Sequence, residues 1–103
     1  MNEQSRLEDL ISLIRESESI LVFTGAGIST GSGIPDYRGP QGLWRTETPV
    51  FFQDFLSSPG ERLRYWRQKA AGWPVVRDAR PNSVHEAVVD LERAGKLLLV
   101  VTQ

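Results

Sequence analysis

Apolar positions in this chain fall into two kinds of pattern. Leu7, Leu10, Ile11 and Ile14 recur at helical spacing, with Glu8, Asp9 and Arg15 between them, and predict a first helix over about Ser5 to Glu16. Ile20-Leu21-Val22-Phe23 is instead a continuous apolar run that ends at Thr24-Gly25. A short run of that kind suits a strand covered on both faces, as in a parallel sheet. Glycines at 25, 27, 31, 33, 39 and 42, with Pro35 and Pro40, make the stretch to Gly42 a structured loop region with a helical turn after Gly27. Ser58-Pro59, followed by Glu61, reads as a capped helix start, and the helix is expected to reach Gly72-Trp73-Pro74. After Pro81-Asn82, the positions Val84, Ala87, Val88 and Leu91 are again helically spaced, and Gly95 supplies the stop. Leu97 to Val101 repeats the buried-strand pattern, followed by Thr102-Gln103.

Two parallel strands joined by helices place the chain in the α/β class. Two strands alone make a poor sheet, and both runs ask for neighbours. The second would otherwise remain an unprotected edge. The expectation is therefore that more chain follows Gln103, and that these 103 residues are one part of a larger domain.

Composition narrows the functional classes. Hydrophobic residues at 40% and charged residues at 24% are ordinary for a folded protein. A formal charge of −1 provides no global field toward nucleic acid or an anionic membrane, so neither is expected as a partner. There is no cysteine, hence no disulfide and no thiolate metal site within these residues. The first residues carry no apolar signal core, Glu3, Glu8 and Asp9 do not suit a transit peptide, and no apolar run is long enough to span a membrane. A cytoplasmic protein is the expectation.

The candidate chemistry begins where the first strand ends. Gly25-Ala26-Gly27 directly after a buried strand is a setting in which one glycine permits a tight turn and the next lets backbone approach a pyrophosphate. Amides at the start of the following turn would face the anion. The third glycine of the usual dinucleotide fingerprint is missing, with Thr30 in its place, and no Gly-Lys-Ser/Thr follows to make a triphosphate loop. A bare glycine pair is compatible with a simple turn.

The full run Gly25-Ala26-Gly27-Ile28-Ser29-Thr30-Gly31-Ser32-Gly33-Ile34-Pro35-Asp36-Tyr37-Arg38-Gly39, then Gly42-Leu43-Trp44, closely resembles the signature of the sirtuins, the Sir2 family of NAD-dependent protein deacylases. Pro81-Asn82-x-x-His85, Leu91-Glu92, Gly95-Lys96-Leu97 and Val101-Thr102-Gln103 fall in that family's order and spacing. Arg64-Tyr65-Trp66 and Gly72-Trp73-Pro74 resemble its class II branch. A Tyr-x-x-Arg pair, carried by members that prefer succinyl and malonyl groups, is not evident, because Gln68 stands three residues after Tyr65. An acidic acyl group is not the expectation.

The resemblance implies the N-terminal part of a Rossmann-like parallel-sheet NAD-binding domain, truncated after its second strand. It implies that Gly25, Ala26 and Gly27 line the NAD phosphates, with Ser29 and Thr30 close by. Helix capping is the competing role for those two hydroxyls. Ile34, Pro35 and Asp36 correspond to the nicotinamide pocket, with Asp36 as a turn residue in the alternative reading. Arg38 would lie near the phosphates or the acyl group, or else form a surface ion pair. Tyr37 would shield the reacting sugar, with core packing as the rival role. Gln103 corresponds to a residue that bonds a ribose hydroxyl.

The same resemblance implies an acyl-lysine protein substrate and no catalytic residue within this chain. The lone histidine, His85, matches the Pro-Asn-x-x-His motif and is expected to be structural, while the general base is expected beyond Gln103. The family's structural zinc is held by four cysteines, expected in the missing C-terminal part. Trp66 and Trp73 are expected to pack in the core and at its rim rather than to bind a cofactor. NAD-dependent ADP-ribosyl transfer to protein, and a non-catalytic NAD-binding or interaction module, remain alternatives to deacylation.

Overall fold

The computed structural model describes residues 2–103. Contacts divide the chain into two units: the chain up to Gly25 together with Ser83–Gln103, and Ala26–Asn82.

The first unit holds helix α1 (Glu3–Glu16), strand β1 (Ile20–Thr24), helix α4 (Ser83–Arg93) and strand β2 (Leu97–Thr102). Helix α1 begins two residues before the expected Ser5, because the Asn2 side chain accepts from the Ser5 amide at 2.8 Å and caps the helix. Its far end is tied down by Lys96, whose ammonium donates to the carbonyls of Arg15 at 2.8 Å and Ser17 at 2.7 Å. A cation is favourable at those orphan carbonyls. Helix α4 ends as Gly95 foretells. Gly95 takes φ 71°, its amide bonds the Glu92 carbonyl, and the Lys96 amide bonds Leu91, which is a Schellman closure.

Strands β1 and β2 pair in parallel, with Thr24 opposite Thr102 and an irregularity between Ile20 and Leu21. The Thr24 hydroxyl donates to that of Thr102 at 2.8 Å, joining the C-terminal ends of both strands. Within these residues the two strands lack the cover on both faces that their apolar runs ask for. Side chains on β1 alternate between half-buried and exposed, β2 is exposed from Leu98 onward, and Phe23 and Leu98 are 70% and 68% exposed. No hydrophobic side chain among the described residues is fully buried. A two-stranded sheet has two faces and two open edges, and this unit cannot cover them all.

The second unit contains a 3-10 helix (Ala26–Ser32), a shorter one (Leu43–Arg45), and helices α2 (Phe52–Ser57) and α3 (Pro59–Asp78). The Ser58 side chain accepts from the Glu61 amide with Pro59 in the first turn, as its sequence indicates. Helix α3 does not stop at Gly72-Trp73-Pro74 but continues to Asp78. An interior proline removes one helical hydrogen bond. Here Ala70 and Pro74 are both exposed, so the carbonyl left over at Ala70 can be hydrated. Helix α2 has no clear signal in the sequence. It packs on α3 through an edge-to-face pair, Phe55–Tyr65, at 5.2 Å. Arg62 reinforces the join by donating to the carbonyls of Phe55 and Leu56. Arg64 grips Glu61 through two hydrogen bonds and also donates to the Thr48 carbonyl at 2.6 Å. Trp66 meets Tyr65 edge to face at 5.1 Å, and Trp66 and Trp73 are each 58% exposed within these residues.

Among the described residues no helix is long and apolar enough to cross a membrane.

Candidate functional site

Gly25 is the residue at which β1 gives way to the loop. It and Gln103 each stand one step past the paired Thr24 and Thr102, so the register sets both at the C-terminal edge of the parallel pair. That edge is where open α/β sheets receive ligands. A Cβ built at Gly25 or at Gly27 would meet no atom within 4 Å, and neither glycine has a positive φ. The chain's own packing therefore does not require glycine at either position. Bare backbone there offers an outside group a close approach.

The 3-10 helix that follows is held from within and from a distance. The Thr30 hydroxyl donates to the Gly27 carbonyl at 2.9 Å, so it fastens the turn rather than capping an amide. Gly33 takes φ 85° and closes the turn, its amide bonding Thr30 and the next amide, of Ile34, bonding Ser29. Asn82 reaches back to donate to the Ile28 carbonyl at 2.7 Å and the Ser32 hydroxyl at 3.0 Å. Sequence reasoning noticed the Pro-Asn-x-x-His motif without seeing this clamp, since only the fold brings residue 82 onto residue 28.

Residues 36–45 form a self-fastened loop. One Asp36 carboxylate oxygen accepts the Gly39 amide at 3.0 Å, an Asx turn. The Leu43 amide bonds the Asp36 carbonyl at 2.9 Å and the Trp44 amide bonds the Tyr37 carbonyl at 3.0 Å. Arg45 donates through Nε to the Gly39 carbonyl at 3.1 Å. The rings of Tyr37 and Trp44 stack at 5.0 Å and 28°. A side chain at Gly39 would run into the Asp36 carboxylate, and one at Gly42 into the Tyr37 carbonyl.

These features leave an open cavity of about 420 Å³ lined by Ala26, Asp36, Tyr37, Arg38, Gly39 and Trp44. A second, of about 590 Å³, is lined by Thr30, Gly33, Pro35, Asp36, Pro40 and Gln41. Asp36 lines both. Of the residues expected from sequence, Ala26, Asp36, Tyr37 and Arg38 are brought together in the first cavity, and Thr30 and Pro35 meet Asp36 in the second. Ser29 and Ile34 are half-buried and line neither. Arg38 is exposed and makes no hydrogen bond or ion pair among the described residues. Trp44 was quoted only as part of a signature, and its stacking partner could not be read from spacing. His85 sits in the first turn of α4, half-buried, outside this loop unit.

The model of the Sir2 family matches residues 25–103, which is the stretch that starts at this loop and runs through β2. The chain belongs to the Sir2 family. Similarity to individual sirtuins agrees. The chain is 48% identical over 103 residues to NAD-dependent protein deacetylase 1 of Corynebacterium efficiens, covering all of this chain and 36% of that protein. A Sir2 enzyme solved to explain the mechanism and regulation of such enzymes superimposes with TM-score 0.82 at 35% identity, over 97% of this chain and 39% of that one. A Sir2–p53 peptide–NAD+ complex matches with TM-score 0.73 at 35% identity, over 94% of this chain and 38% of that one. The likeness confirms the Rossmann-like α/β fold. The chain spans little more than a third of the length of the sirtuins it matches.

NAD fits the residues present in this sirtuin loop. Two glycines leave backbone open to close approach, an exposed guanidinium stands at the cavity, and an apolar ring pair lies beside a carboxylate. That donor set suits a ligand with a phosphate and a flat amide-bearing ring.

Proposed function

We propose that this sirtuin chain supplies the phosphate and nicotinamide side of an NAD-dependent protein-lysine deacetylase. The observation that carries the reading is the cavity in which Ala26, Asp36, Tyr37 and Arg38 converge, in a chain whose relatives carry that activity in their names. When bound, NAD supplies a ribose carbon that takes the acyl oxygen of an acyl-lysine side chain as nicotinamide leaves.

The chain's own residues prepare that event. Amides at the start of the Ala26–Ser32 turn and the Arg38 guanidinium offer donors to phosphate oxygens. Gly27, with open space where a side chain would project, lets those oxygens approach the backbone. Asp36 uses one carboxylate oxygen to hold the Gly39 amide, which leaves the other able to accept from a carboxamide N–H. Tyr37 lines the cavity and is assigned to shield the reacting sugar from water. Gln103, at the sheet's C-terminal edge, is assigned a ribose hydroxyl. No group in this set is a general base. That role and the structural zinc are assigned to sequence outside these residues, and His85 to support of α4.

The substrate is an acyl-lysine in a protein, with the acyl group uncharged, and the broader deacylase range follows from the same site. The protein is assigned to the cytoplasm, with neither nucleic acid nor membrane as partner. The test is nicotinamide release from NAD by the full-length protein with and without an acetyl-lysine peptide. Release that depends on the peptide is expected, and an inert protein overturns the reading. With NAD labelled in the adenylate portion, label held covalently by protein would replace deacylation with ADP-ribosyl transfer.

A further inference from the structure

We infer that Trp44 is a positioning residue for Tyr37, so that the wall of the nicotinamide-side cavity is a ring pair and not a single ring. The inference rests on the NAD-dependent reading above and adds to it a residue with no assigned role. Tyr37 is the exposed member. It lies on an irregular bend between Asp36 and Gly39 and is 40% exposed. A ring on such a bend, with nothing behind it, would spread over several rotamers.

Trp44 lies in the middle of the short 3-10 helix Leu43–Arg45 and is half-buried. Its amide bonds the Tyr37 carbonyl at 3.0 Å, and the neighbouring Leu43 amide bonds the Asp36 carbonyl at 2.9 Å. The two backbones thus run bonded side by side for two residues, and the ring stack at 5.0 Å and 28° completes the staple. Gly42, the residue just before that helix, is buried against the Tyr37 carbonyl with no room for a side chain. The contact is therefore tight in its backbone as well as in its rings. Both rings line the same cavity, so a shift of Trp44 moves the surface that a ligand meets. Offset-stacked rings have a preferred geometry, which apolar bulk alone does not impose.

The test uses the full-length protein with NAD and an acetyl-lysine peptide. Trp44→Leu keeps apolar bulk but cannot stack. It is expected to raise KM for NAD about three- to tenfold, the loss that follows from one stacked pair. It should change kcat less, and raise nicotinamide exchange relative to peptide deacylation. Trp44→Phe restores a ring and is expected to bring both readouts back within about twofold of wild type. In a double-mutant cycle, Tyr37→Leu with Trp44→Leu should be little worse than Tyr37→Leu alone, because the two rings act as one wall. If Trp44→Leu does not fold, Trp44→Met, which also keeps apolar bulk without a ring, and the cycle built on it (Tyr37→Leu with Trp44→Met) take its place. An additive cycle, or a Trp44→Leu enzyme with wild-type KM and exchange ratio, overturns the positioning role and leaves the functional reading standing. A wild-type protein that releases no nicotinamide sinks both.

Discussion

The side-chain amide of Asn82 donates to the Ile28 carbonyl at 2.7 Å, fastening the turn that follows the strand-end glycines to a residue 54 positions further along the chain. The same nitrogen donates to the Ser32 hydroxyl at 3.0 Å, so one amide holds both the third and the last residue of the 3-10 helix. Nothing local in the loop's own sequence could supply that restraint.

Removing the clamp should loosen the loop before it unfolds the protein. Asn82→Ala leaves the Ile28 carbonyl without its donor, and a partly buried group in that position costs about 1–2 kcal/mol. Asn82→Asp should be worse, because its carboxylate cannot donate and faces a carbonyl oxygen. Denaturant midpoints would show the stability change, and calorimetric titration with NAD a weakened affinity. Wild-type affinity in Asn82→Asp would show that the clamp does not shape the site.

Gly42 carries a sharper steric prediction. An added Cβ there would overlap the Tyr37 carbonyl, which is backbone and cannot swing away. Gly42→Ala should therefore displace the 36–45 loop and weaken NAD at least about tenfold, a change of about 1.4 kcal/mol. Gly25→Ala creates no such clash within this chain, since its Cβ would meet no atom within 4 Å. Its effect should appear in NAD binding with little change in the denaturant midpoint of the unliganded protein.

The Ser58 cap can be checked without any ligand. Ser58 accepts from the Glu61 amide at the start of α3, and Ser58→Ala should lower stability by about 1 kcal/mol. Ser58→Asp should recover most of that loss, because a carboxylate both caps and favours the positive end of the helix. Equal midpoints for wild type and Ser58→Ala would show that α3 does not depend on its cap.

Acid should weaken the α3 brace. The hydrogen bonds from Arg64 hold the Glu61 carboxyl below its ordinary value of 4.5. A depressed folded-state pKa means that the stabilisation is present above the unfolded value and is lost as pH falls through the lower, folded one. Stability should thus decline below about pH 4.5, and Glu61→Gln should flatten that part of the profile. The pair is solvent-accessible, so salt should reduce the difference between the two proteins. Parallel profiles for wild type and Glu61→Gln from pH 5 to pH 3 would remove Glu61 from the account.

Much of this was legible along the chain, for physical reasons tied to short range. Ile20–Phe23 and Leu97–Val101 announce strands by continuous apolar character, Ser58-Pro59 announces a helix by cap chemistry, and Gly95 announces a stop that needs a positive φ. The run from Gly25 to Gly39 carries the family. Each of these signals is set by a residue and its neighbours within about one turn. The end of α3 was misread because Gly72 and Pro74 are only statistical breakers, and an exposed helix tolerates one unsatisfied carbonyl. Helix α2 was missed because six residues carry too little periodicity, and its order comes from Phe55 meeting Tyr65.

What the sequence determined by itself was the strand–glycine-loop order, and with it membership of the Sir2 family. Only the tertiary structure decided how that loop is held. Asn82 against Ile28, Trp44 against Tyr37, and Asp36 against Gly39 are choices among contacts that spacing alone leaves open. It also decided that Arg38 has no ion-pair partner among the described residues, while the Thr30 hydroxyl bonds the Gly27 carbonyl. Hydrogen bonds and ring stacks depend on where the chain returns in space, and a linear pattern does not record that return.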